Sequence, residues 1–303
     1  MKKQLVTEDG IVYKKHKMSR KDKRNSILYM LPSLLGILVF FIVPFAVVVY
    51  YSVVDNPINH EFVAFDNFVN IIHNTSFQLA AKNTATFSLV AVPLAVILSL
   101  LMALILEENI PMKSQFRTFF LSPMMVPVAS VVLIWQVLFD YNGAINDFVL
   151  KLGGTPIDWF KSDYSQIVVV VLFLWKNLGY NMILFMSALN AIPKDVLEVA
   201  TLESASEFQK FWYIKLRYLS STILFVGILS LINSFKVFRE VYLLAGGYPY
   251  DSLYMLQHFM NNTFKSLDYQ KLSAAAILMG IVMCIVIGLL FFAEDHYGKD
   301  VEG

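Results

Sequence analysis

Residues Ala274–Phe292 read AAAILMGIVMCIVIGLLFF, nineteen consecutive positions without a charge. A hydrocarbon core of about 30 Å needs about 20 helical residues, and a backbone in lipid must satisfy its own hydrogen bonds. The run has no period-2 alternation, so it reads as a spanning helix rather than a barrel strand. Ile167–Trp175 has the same character. Working outward from these two runs, six segments qualify as spans: Ile27–Tyr51, Asn83–Leu106, Thr118–Phe139, Ser165–Asn190, Ser220–Leu244 and Leu272–Ala293. The expected fold class is an all-α integral membrane protein, with a basic tail over 1–25, a six-helix domain over 26–293 and a short tail over 294–303.

Composition agrees. Of 303 residues, 57% are apolar and 16% charged, against about 45–50% and about 25% in soluble domains, so one soluble core could not hide this much apolar surface. Net charge is only +1, which gives nucleic-acid binding no support. The placement of charge says more, because cytoplasmic loops retain Lys and Arg. With the N-terminus inside, sixteen of the 24 fall on the inner side and five on the outer, with Lys176, Lys236 and Arg239 inside spans. Both termini are expected to be cytoplasmic. A cleaved signal peptide would have an apolar core of about 7–15 residues and a small-residue cleavage site; the first apolar segment is longer and lacks such a site, so it is expected to stay. Prolines 32, 44, 93, 123 and 127 fall in spans and are read as kinks that neighbouring helices tolerate, although broken helices also line transport paths.

Catalytic signatures are missing. No G-x-x-x-x-G-K-[ST] loop, G-x-S-x-G or H-E-x-x-H occurs, so the chain is expected to be non-catalytic and to bind no nucleotide or metal itself. Cys284 is the only cysteine, which excludes an intrachain disulfide and a multi-cysteine metal site. His16, His60, His73, His258 and His296 have no ligand-like spacing and read as solvated tail and loop residues.

The connection over 191–219 is longer than a helix linkage needs. Pro193 suits a helix start; Val196, Leu197, Ala200 and Thr201 follow at helical spacing, with Lys194, Asp195, Glu198 and Glu203 between them. Ser204, three residues before Glu207, has the pattern of a capping box opening a second helix with Phe208, Phe211, Trp212 and Ile214. Residue pattern alone fits two roles equally: an amphipathic hairpin on the membrane surface with Lys210, Lys215 and Arg217 on lipid headgroups, or a docking surface for a partner.

The residues themselves carry a resemblance. Glu198-Val199-Ala200-Thr201-Leu202-Glu203-Ser204-Ala205, then Phe211, Ile214 and Leu216, resemble the EAA loop of ABC-importer permeases, E-A-A-x-x-D-G-A followed by F, I and L-P. Val199 replaces an alanine, Ser204 the usual glycine and Arg217 the usual proline. Further matches run in order over about residues 25 to 293. They include Phe62 to Phe68, Asn83-Thr84, Phe116-Arg117, Pro123, Trp135 with Phe139, Gly143 and Asn146, Trp175-Lys176-Asn177 with Gly179 and Met182, Ser234 to Phe238, and Gly246-Gly247-x-Pro249. This series is similar to the carbohydrate-uptake branch, of the maltose-transporter F-subunit type; the G-A-V-K-G-like ending of the G-type partner is not found. The resemblance implies a type I importer permease whose loop couples to a separate ATPase, with Glu198, Ala200, Glu203, Ser204 and Ala205 at that contact and Phe211, Trp212 and Ile214 packing the loop. It also implies two ATPase subunits that bind ATP and Mg, a second six-helix permease and an extracytoplasmic solute-binding protein. The implied cargo is a sugar, an oligosaccharide in this branch, moved by alternating access.

Ionisable and amide groups at membrane depth supply candidate path residues. Lys176 lies near the midplane, and Asn177 and Asn181 share a helix face. Asn233, Lys236, Arg239 and Glu240 follow in the fifth span, where Lys236 is placed to pair with Glu240 at i+4. Trp135, Trp175, Tyr180 and Tyr242 would wall a sugar path. The bland reading is that the amides are glue between helices. If Lys236 is neutralised, Arg239 is left as surplus positive charge favouring an acidic sugar. Other readings are a permease for another solute such as glycerol phosphate, an ion-coupled secondary transporter, which inverted repeats and buried acidic sites would mark, and a membrane assembly factor.

Overall fold

The computed structural model describes Leu5–Val6, Val12–Tyr13 and residues 20–298 apart from Pro57 and Asn109. The two short pieces pair antiparallel; the rest of the 1–19 tail and the last residues of the 294–303 tail lie outside the described residues.

The first span is helical in three parts: α1 (Arg20–Ile37), a π turn over Leu38–Ile42, and α2 (Val43–Ser52). Pro44 cannot donate to the preceding turn, and the widened turn just before it accommodates the missing bond. A short α3 (Asp66–Ile72) leads to α4 (Thr75–Glu107), whose first turn is capped by the Asn74 side chain accepting from the Phe77 amide at 3.0 Å. This helix starts eight residues before the expected span, because its first two turns pack beside the later helices instead of ending at the apolar stretch.

The expected third span, Thr118–Phe139, is not one rod. It is α5 (Lys113–Met125) and α6 (Val128–Leu138), bent by 101°. Pro127 lacks a donor and forces the residue before it out of helical geometry, and Val126 is extended at φ −82°, ψ 131°. Among the described residues five helices are thus long and apolar enough to cross a membrane, or six when the bent pair is counted as one span. Beyond α7 (Ala144–Lys151) comes α8 (Ser165–Asn190), with the bounds expected from sequence. Next come α9 (Lys194–Leu202), α10 (Glu207–Lys210), a π turn over Phe211–Lys215 and α11 (Leu216–Tyr218). The fifth span runs on over Ser220–Ala245, with a one-residue turn at Val237 between α12 (Ser220–Lys236) and α13 (Phe238–Ala245). The chain closes with α14 (Leu256–Lys265) and α15 (Tyr269–Gly298).

The centre of the bundle is the α4–α8 pair. Ala91, Ala95, Ser99 and Ala103, spaced four apart on α4, are fully buried. In lipid, where the hydrophobic effect does not drive helices together, such a ladder of small residues lets backbones approach closely. Phe87, Val169 and Phe173 fill one end of this seam; Met182, Phe185, Leu189 and Leu219 fill the other. Gly179 is the contact point with α5: a Cβ there would lie 1.9 Å from the carbonyl oxygen of Phe120.

Several residues of the resemblance are structural. Asn83 donates to the carbonyls of Asp251 and Tyr254, and Thr84 accepts from the Leu256 amide at 2.9 Å, so the start of α14 is tied to α4. Asn146 donates to the Tyr141 and Ile157 carbonyls and accepts from the Ile157 amide and the Trp159 indole, holding the 141–159 region together.

Candidate functional site

The bend between α5 and α6 and the turn at Val237 meet at one cavity of about 430 Å³. Met124 of α5 and Val128 of α6 flank the 101° bend, while Lys236, Val237 and Arg239 lie at the α12–α13 turn. Leu172, Phe173, Lys176, Asn177 and Tyr180 of α8 form the opposite wall, completed by Leu229, Asn233 and Glu240. Pro127 therefore does more than kink, whereas Pro32 and Pro93 lie within continuous helices as expected. Where helices break, backbone and long side chains can line a cavity instead of facing lipid.

Electrostatics differ from the sequence expectation. Glu240, 6% exposed, forms its ion pair with Lys176 of α8, not with Lys236. Val237 keeps helical angles, φ −61° and ψ −16°, so the i+4 spacing itself holds, but the Glu240 carboxylate is taken by Lys176 across the gap to α8. Among the described residues no carboxylate lies within ion-pair distance of Lys236 or Arg239, and both are exposed. The amides are mostly committed. Asn177 donates to the Phe173 carbonyl at 2.8 Å and its oxygen accepts from Asn233 at 2.9 Å.

Four expected path residues lie outside the cavity wall. Asn181 faces α12 as Asn177 does, but it is buried and donates to Ser230 at 3.0 Å, one turn away from the cavity. Trp135 and Trp175 lie against each other, ring centres 5.3 Å apart and planes tilted by 32°. Tyr242 sits at the end remote from the α8–α12 connection, its hydroxyl accepting from Lys265 at 2.9 Å. Met124, Val128, Leu172, Phe173, Leu229 and Val237 are cavity residues that sequence reading missed. They are ordinary apolar side chains, and nothing in their residue type marks them as cavity lining.

The second cluster is the helix pair at the end of α8. The corner between α9 and α10 has the bonds of a Schellman motif: the Ala205 amide donates to the Ala200 carbonyl at 2.9 Å and the Ser204 amide to the Thr201 carbonyl at 3.0 Å. Ser204 takes the left-handed conformation there, φ 62°. The expectation that Ser204 caps the second helix is corrected. Ser206 is the cap, accepting from the Gln209 amide, while the Gln209 side chain accepts from the Ser206 amide at 2.8 Å. Ser204 cannot reach that position because it occupies the place where glycine has no steric penalty. Ala200 is buried and Ala205 half-buried, whereas Glu198 and Glu203 are exposed.

Phe211 and Ile214 are half-buried, but Trp212 does not pack inward. It is 54% exposed and stacks on Phe208, itself 73% exposed, with ring planes 12° apart. Their i, i+4 spacing puts both rings on one outer face. The basic residues expected to meet headgroups are otherwise engaged. Lys210 is buried and bonds Glu207 at 2.7 Å, and Lys215 bonds Glu107 at the end of α4 at 2.7 Å. The hydrogen bond from Lys210 holds the Glu207 carboxyl below its ordinary value.

One histidine also departs from expectation. His258 is fully buried, not a solvated loop residue, with its ring 4.7 Å from that of Phe238. Its Nδ1 accepts from the Met255 amide, and burial pushes its pKa down to about 4. No group of three or more metal-ligating side chains occurs among the described residues.

A bent pair of helices beside a cavity of mixed polar and apolar lining, joined to an exposed helix pair at one end, is an arrangement suited to a transporter's membrane subunit. The model of the binding-protein-dependent transport system inner membrane component family matches residues 95–299, and the chain belongs to that family of ABC-importer permeases. It is 29% identical over 290 residues to the trehalose/maltose transport system permease protein MalF of Thermococcus litoralis, covering 94% of this chain and 98% of that one. It is also 29% identical over 291 residues to the sn-glycerol-3-phosphate transport system permease protein UgpA of Rhizobium meliloti, covering 90% and 98%. A solved bacterial ABC transporter, involved in the import of the acidic polysaccharide alginate, matches with a TM-score of 0.79 at 19% identity over 91% of this chain and 98% of that one. At that identity the likeness is one of fold. Membership in this family displaces the secondary-transporter and assembly-factor readings.

Proposed function

We propose that this chain is the sugar-conducting permease of an ATP-driven importer and that it works by alternating access. The observation that carries this reading is continuity. The exposed pair α9–α10 is joined directly to α8 on one side and, through α11, to α12 on the other, and those two helices wall the cavity. A rigid displacement of the pair therefore reaches the cavity without passing through a flexible linker. Leu202, Phe208 and Trp212 give a partner an apolar anchor, rimmed by Glu198 and Glu203. The partner at this face is one of two ATPase subunits, which hold ATP and Mg; this chain binds neither. A second six-helix permease completes the path, an extracytoplasmic binding protein delivers the sugar, and both termini face the cytoplasm. The names of the relatives support a sugar or polyol cargo.

The test is uptake of labelled sugars into proteoliposomes holding the full complex, with ATP inside. Uptake should require ATP hydrolysis, and the double variant Phe208→Ala, Trp212→Ala should lower it at least about ten-fold, consistent with loss of two interface anchors. Uptake driven by an ion gradient without ATP would overturn the proposal.

A further inference from the structure

We infer that the cavity selects an anionic sugar, one whose carboxylate or phosphate group is held by Lys236 and Arg239; this rests on the sugar-importer reading above. The wall carries three cations and one carboxylate. Glu240 is committed to Lys176, so that pair is internally neutral and two positive charges remain facing the cavity. The neutral hydrogen-bonding groups of the wall are three, Asn177, Tyr180 and Asn233, of which Asn177 is engaged through both its nitrogen and its oxygen and Asn233 spends one donor on it. What remains is dominated by donors: a guanidinium has five N–H groups and an ammonium three, and neither can accept. Sugar hydroxyls both donate and accept, so a neutral glycan would find few acceptors and would leave both charges uncompensated. An anion reverses both defects, and the planar fork of Arg239 suits bidentate contact with a carboxylate or phosphate. The volume, about 430 Å³, lies in the range of small-molecule sites and admits one or two sugar units at a time.

The test uses the reconstituted full complex and matched probes: neutral disaccharides of the gluco, galacto and manno series, the same sugars oxidised to uronates, and sugar phosphates. The binding protein is identical in every arm, so a change in the anionic-to-neutral uptake ratio between variants belongs to the membrane cavity. Arg239→Gln and Lys236→Gln should each lower uptake of the anionic class about ten-fold or more, with Arg239→Lys recovering only part of it, because a point charge cannot reproduce the bidentate fork, and the anionic-to-neutral uptake ratio falling in every variant. Loss in the uronate arm assigns the carboxylate, and loss in the phosphate arm the phosphate. Co-purification of all subunits at wild-type ratio shows that the variants assemble. Should neutral and anionic sugars enter equally, or fall equally in both variants, the inference is overturned while the importer reading stands. Failure of every sugar class to enter with ATP would remove both.

Discussion

Gly179 gives the sharpest test of the packing. Helix propensity alone predicts that Gly179→Ala stabilises α8 by up to about 1 kcal/mol. The structure predicts the opposite sign. The new Cβ would lie 1.9 Å from the Phe120 carbonyl oxygen, 2.4 Å from its carbon and 3.0 Å from the Leu121 nitrogen. All three are backbone atoms of α5, so no rotamer change relieves the overlap, and α5 must retreat by roughly 1.5 Å to restore ordinary carbon–oxygen contact. Overpacking of this kind costs about 1–3 kcal/mol, and the backbone-on-backbone geometry puts this site at about 3. Less the propensity gain, the net loss is about 2 kcal/mol. Because α5 contributes Met124 to the cavity, transport should fall with stability. The assay is thermal unfolding of the purified complex, with Gly227→Ala as the control: that position on α12 has nothing within 4 Å of an added Cβ, so it should melt at or slightly above wild type. If Gly179→Ala melts as high as Gly227→Ala, the close approach of α5 and α8 is wrong.

Three further outcomes follow from single residues. Ser204→Gly should stabilise the α9–α10 corner by about 1 kcal/mol, since a non-glycine residue costs roughly 1–2 kcal/mol in the left-handed region and glycine returns part of that to unfolded-state entropy; slower amide exchange over 200–206 would report it, and unchanged exchange would refute it. Glu240→Gln should cost on the order of 2 kcal/mol, below the usual 3–5 for breaking a buried pair because Lys176 keeps 23% side-chain exposure; the exchange Lys176→Glu with Glu240→Lys should recover more than half of this in a melting experiment. His258 is held neutral with its folded pKa below the ordinary 6.5, so the unfolded chain binds the proton more readily. Stability should be complete above pH 6.5 and decline by about 3 kcal/mol as pH falls to about 4, and His258→Gln should flatten that slope; an unaltered slope would place its origin elsewhere.

Membrane insertion, five of the spans and the existence of the exposed helix pair were legible in the sequence, because each follows from local quantities: the length of an apolar run, the charge of a loop, the spacing of residues on one helix. The bounds of α8 were readable for the same reason. The remainder depended on what lies across a gap. Pro127 is visible in the sequence, yet whether it kinks or breaks a helix depends on whether neighbours supply the lost hydrogen bond, and here the chain turns by 101°. The partner of Glu240 was misread because sequence spacing sees Lys236 four residues away, while Lys176, 64 residues earlier, is nearer in space. Ser204 shows the same division at a smaller scale: its residue type fits a cap, but the Schellman bonds on either side fix its backbone in the left-handed region. Sequence determined the solvent this protein lives in and the helices it makes; tertiary structure decided which charges cancel and which remain facing the cavity, because electrostatic energy falls with distance through space and takes no account of distance along the chain.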